Sequence, residues 1–142
     1  MNKPRYKKPT RRSRYYVDPV LWQRAIWFCR DYPRWIEQLA ACTDSNKTVT
    51  DYANQVHVQT SGDHNPTEVL GIRRAELQSK VDIVNNAVNS VTDSARLQMY
   101  LKLGVTQHIS YETLRDKHIP CGRRQYHQYR QEIIYRVAQA ID

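Results

Sequence analysis

Apolar residues recur at helical spacing over most of the chain after residue 17, and two polar stretches interrupt the pattern. Leu21, Ala25, Phe28, Cys29 and Tyr32 mark the first face. Intervals of three and four place such residues on one side of a 3.6-residue turn, so a helix is expected. Asp18 suits its cap and Pro19 its first position. Pro33 lacks the amide hydrogen that a helix interior needs, which predicts a kink or break near Tyr32. Trp35, Ile36, Leu39 and Ala40 resume the pattern.

Asn65-Pro66-Thr67-Glu68 combines a capping residue, proline at the first position and glutamate at the third. That is a helix start. Val69, Ile72, Leu77, Val81, Val84 and Val88 follow, predicting a helix of about 24 residues that ends near Ser90. Thr92 or Asp93 caps the next helix, whose inner face is Leu97, Tyr100, Leu101 and Leu103, and Gly104 is expected to end it. Ser110 opens a short helix through Lys117 with Tyr111 and Leu114 inward. A turn from His118 to Gly122 leads into a last helix from Arg123 to about Ile141, packed through Tyr126, Tyr129, Ile133 and Val137. No stretch demands a strand, and there is no internal repeat. The expected class is all-α.

The polar stretches set the organisation. Residues 1–16 carry Lys3, Arg5, Lys7, Lys8, Arg11, Arg12 and Arg14 with no acid and no apolar periodicity. Disorder is expected there until a partner binds. Residues 43–65 are polar and irregular, with Ser61-Gly62-Asp63 as a turn signal and local order expected around Val49, Tyr52 and Val56. The chain thus divides into a basic flexible arm (1–17), a helical scaffold (18–109) holding the polar loop, and a helix-turn-helix region (110–142).

Charge adds a partner to this picture. The 142 residues hold 22 Lys and Arg against 14 Asp and Glu, a net +8. The excess is concentrated in the arm and in the last helix, where Arg123, Arg124, Arg130 and Arg136 face one acid, Glu132. Cations grouped at two places suit a polyanion. A solubilising tail and a solvated helix face are the other reading of the same charges. The three cysteines have no paired spacing and read as reduced thiols in a cytoplasmic protein. No secretory leader and no membrane-length apolar run are apparent.

The last helix carries the sharpest signal. In His118 to Val137, HIPCGRRQYHQYRQEIIYRV, long donors come first and core residues afterwards. The second helix of a helix-turn-helix enters the major groove by its N-terminal end. Arginine there can bind guanine bidentately and glutamine can bind adenine, while nearby cations meet phosphate. Arg123, Arg124, Gln125 and Gln128 are the expected base readers, with His127 and Arg130 nearer phosphate. Lys3 to Arg14 would add salt-dependent affinity that is blind to sequence.

Other chemistry finds little footing. No CxxC or HxxxH pair supports a zinc site. No glycine-rich phosphate loop, nucleophile elbow or acidic metal cluster is present. Neither an enzyme, a metal nor a cofactor is expected. Trp22, Trp27 and Trp35 read as core or partner-facing residues rather than a base-stacking platform.

Three segments, in this order and spacing, resemble phage transcriptional regulators of the RinA/ArpU type. They are RDYPRWIEQL (Arg30 to Leu39), NPTEVLGIRRAELQSKVDIVNNAV (Asn65 to Val88) and HIPCGRRQYHQYRQEIIYRVAQAI (His118 to Ile141). The resemblance implies a small all-helical protein whose C-terminal part is similar to promoter-binding region 4 of sigma factors. It also implies activation of late phage genes for packaging and lysis, inside the host bacterial cell. By position, Arg123, Arg124, Gln125, His127, Gln128 and Arg130 match the DNA-facing part of the family's last helix. Gly122 stands where a serine-like cap is usual, and the basic arm is not a constant family feature, so its role is read from charge only. Double-stranded DNA is the expected partner, and the long helices offer surfaces for host RNA polymerase or a second copy. Two rivals are a small terminase subunit that binds the packaging site and a helical adaptor that binds protein.

Overall fold

The computed structural model describes residues 8–43 and 66–142, all of them in helices, turns or irregular segments. The helices are α1 (Pro19–Arg30), α2 (Tyr32–Thr43), α3 (Pro66–Val91), α4 (Ala95–Gln107), α5 (Tyr111–Asp116) and α6 (Arg123–Ile141). The expected all-α class is what the described residues show. Residues 44–65 lie outside them, and with them the local order expected near Val49 and the cap expected from Asn65. Lys3, Arg5 and Lys7 lie outside them as well.

The chain forms two compact units. One holds residues 33–82, in which Trp35, Leu77 and Val81 are buried and the Lys80 ammonium lies 5.7 Å from the centre of the Trp35 ring. The other joins the stretch up to Tyr32 with residues 83–142, and it carries the candidate site. In it α1 packs on α4 and α6, and α4 packs on α5 and α6.

The first helix starts as its sequence predicts, with the Asp18 carboxylate accepting from the Val20 amide at 3.4 Å. Its buried face is Trp22, Ala25, Ile26 and Cys29. That stripe is broader than, and offset from, the expected one, because α1 must meet two neighbours. Leu21 and Phe28 are only half-buried. The break falls at Asp31, and Pro33 enters the first turn of α2, where an amide hydrogen has no intrahelical partner to lose.

Two expected boundaries are corrected. Ser94, not Thr92 or Asp93, caps α4: its hydroxyl accepts from the Leu97 amide at 3.3 Å, while Thr92 Oγ1 accepts from the Ser94 amide. Gly104 does not end that helix, which runs on to Gln107 and is capped by His108 in the left-handed region (φ 57°). Gly104 has a packing role instead. A Cβ there would land on the Tyr126 hydroxyl and 3.1 Å from the ring's Cζ. Gly104→Ala should therefore lower stability by about 1–2 kcal/mol, overpacking outweighing the better helix propensity. Urea denaturation of Gly104→Ala, Tyr126→Phe and the double variant checks this. The cycle should show coupling, with the phenylalanine recovering part of the loss.

Candidate nucleic-acid interface

The candidate interface is built on α5, the connection after it and the start of α6. Ser110 caps α5 through a bond from the Thr113 amide at 3.4 Å. The helix is closed by His118, a non-glycine residue at φ 68°. The His118 amide donates to the Arg115 carbonyl and the Ile119 amide to the Leu114 carbonyl, at 2.9 and 3.0 Å. This is the paired bonding of a Schellman cap, and Leu114 and Ile119 are both buried, as its apolar contact requires.

Side chains then pin the connection. The Tyr100 hydroxyl donates to the Lys117 carbonyl at 2.5 Å, an Arg96 guanidinium N–H to the His118 carbonyl at 3.3 Å and the Tyr111 hydroxyl to the Cys121 carbonyl at 2.9 Å. Exposed carbonyls are thereby satisfied, and the entry to α6 is fixed. Gly122 caps α6 in extended backbone with no side-chain bond, which forfeits only a few tenths of a kcal/mol against a better cap.

Tyr126 anchors the first turns of α6. It is 1% exposed, its ring centre is 5.5 Å from that of Tyr111, and its hydroxyl donates to the Ile109 carbonyl at 3.4 Å. It thus touches α4, α5 and the link between them. Ile133, Ile134, Val137 and Ala138 continue the buried face.

The six expected DNA-facing positions separate into three groups. Arg124, Gln125 and Gln128 are exposed and fall within an arc of about 100° at 100° per residue. They share the face opposite Tyr126. Gln125 donates to the Tyr129 hydroxyl at 2.9 Å, which holds its carboxamide along the helix. Arg123 and His127 are exposed too, but they lie about 40° from each other on the side nearer α5. Arg123 is ion-paired with Glu112, and its guanidinium carbon is 5.8 Å from the Tyr111 ring centre. The His127 ring meets that of Tyr126 edge-on.

Arg130 is a correction. It is 5% exposed, on the buried face of α6 between Tyr126 and Ile133. Its charge acts on Cys29 of α1, whose thiol burial pushes up to about 12 against the guanidinium's downward pull. Arg130 therefore belongs to the packing of α1 on α6 and is withdrawn from the phosphate-facing group.

The described part of the arm departs from expected disorder. Residues 8–17 turn back on themselves, with bonds from the Ser13 amide to the Thr10 carbonyl (2.8 Å) and from the Tyr16 amide to the Ser13 carbonyl (3.1 Å). Tyr15 packs edge-on against Tyr135 of α6, ring centres 5.8 Å apart. Lys8, Arg11, Arg12 and Arg14 are exposed, and the Arg14 guanidinium reaches the Tyr15 ring. Sequence reading missed this anchor, whose one signal is the aromatic pair Tyr15-Tyr16 at the end of a basic run.

Trp22 and Trp35 are core residues, whereas Trp27 is 55% exposed beneath the Arg30 guanidinium. Among the described residues no group of three or more His, Cys, Asp and Glu could hold a metal ion, and no helix is long and apolar enough to cross a membrane. No family profile, curated protein or solved structure matches the chain.

Proposed function

We propose that the chain is a sequence-specific DNA-binding protein that enters the major groove with the first two turns of α6. One observation carries this reading: Arg124, Gln125 and Gln128 share an exposed face at the N-terminal end of a helix whose opposite face is locked into the core by Tyr126. Guanidinium and carboxamide groups held that way match the donor and acceptor pattern of guanine and adenine edges. The positive end of the helix and Arg123 lie beside them for phosphate.

The segments similar to RinA/ArpU regulators extend the proposal to a phage-encoded transcription activator of late genes, acting in the host cytoplasm with α5 and α6 as its helix-turn-helix.

Retention of duplex DNA across a salt titration tests the core of the proposal. With Lys8, Arg11, Arg12, Arg14 and Arg123 on phosphate, log K should fall against log salt with a slope of about −4.5. No retention even at low salt would leave the protein-binding adaptor as the better account.

A further inference from the structure

The contact between the arm and α6 gives the arm a place on the interface. Tyr135 follows Gln128 by seven residues, so it stands about 20° around the helix and about 10 Å further along it. It is on the same outward stripe as Arg124 and Gln128. The Tyr135 hydroxyl accepts from the Gln139 carboxamide at 2.8 Å, which steadies the ring that Tyr15 meets. Arg14 is gathered onto the same contact: its guanidinium carbon lies 4.9 Å from the Tyr15 ring centre and one N–H donates to the Tyr15 hydroxyl at 2.7 Å.

We propose that residues 8–16 form a phosphate clamp, held in register with the reading end of α6 by the Tyr15–Tyr135 ring contact. The proposal rests on the duplex-binding reading above. Lys8, Arg11, Arg12 and Arg14 make no ion pair with any described residue. Glu132, the acid of α6 nearest the contact in sequence, is bound to Arg136 at 3.1 Å. The cations are therefore open to an external polyanion. A major groove is about 12 Å across, so a strap fixed about 10 Å beyond Gln128 comes within reach of the backbone that bounds the groove. A free arm would have to lose conformational freedom on binding and would touch either flank; an anchored one is already placed and touches one flank. Tyr15 is on this view a positioning residue, acting through the cations beside it.

The test uses the full chain, a duplex selected by the wild-type protein, and two variants, Tyr15→Ala and Tyr15→Phe. Tyr15 lies outside the helices, so its truncation spares the packed core. Affinity and hydroxyl-radical footprints are read together. Tyr15→Ala should bind about three- to tenfold more weakly, the range for losing one aromatic pair. Protection of one flank should vanish while protection over the central site stays. Tyr15→Phe should keep both. If Tyr15→Ala binds with the same affinity and the same flank protection, the clamp is wrong and the reading helix stands. If the wild-type chain protects no duplex at all, clamp and DNA reading fall together.

Discussion

Tyr126→Ala is expected to lower the unfolding free energy by about 3–5 kcal/mol, the range for removing a buried aromatic ring. The ring is almost wholly enclosed and meets Tyr111 of α5, the backbone of Gly104 in α4 and the Ile109 carbonyl. Deleting it opens a cavity where these elements converge, and rigid helices cannot collapse to fill it. Chemical denaturation followed by helical circular dichroism checks the loss. Duplex binding should fall with it, since Gln125 and His127 flank Tyr126 directly. Tyr126→Phe should cost less than about 1.5 kcal/mol, because the bond from the hydroxyl to the Ile109 carbonyl is long at 3.4 Å.

Arg124→Ala should do the reverse: leave stability within about 0.5 kcal/mol of the parent and weaken binding to the preferred duplex by about 1–3 kcal/mol. Arg124 is exposed and makes no ion pair with any described residue, so little in the fold depends on it. Binding to random duplex should weaken far less. Arg124→Lys keeps the charge and loses the planar fork, so it should retain random binding and relax choice at one base pair. Arg123→Ala should have the smaller effect on preference, because Arg123 must first leave Glu112. Competition binding with preferred and shuffled duplexes measures all three. Equal loss on both duplexes would show that Arg124 is not a reader.

Much of the helical order was legible because periodicity and caps agree: Asp18-Pro19, Ser110 and the turn after Lys117 each declare a boundary. What was not legible has identifiable causes. Around residue 93 three capping residues stand nearly together, and the choice of Ser94 depends on which oxygen reaches the Leu97 amide. Gly104 reads locally as a helix stop, while its reason lies in a ring 22 residues further on. Arg130 had a signal that charge overrode: it sits four residues after Tyr126 and three before Ile133, squarely on the apolar spacing. Ile26 falls outside the single expected stripe because α1 serves two neighbours. The anchoring of Tyr15 on Tyr135 pairs residues 120 apart, a distance at which single-chain pattern carries no information.

The central claim is that one exposed face of α6 chooses among base sequences. Selection of bound duplexes from a random pool, run in parallel for the wild-type chain and Gln128→Ala, tests it most directly. The account predicts a recovered consensus for the wild type and a loss of preference confined to neighbouring base pairs in the variant. A pool that emerges unenriched, or a consensus that Gln128→Ala, Gln125→Ala and Arg124→Ala all leave intact, would contradict it.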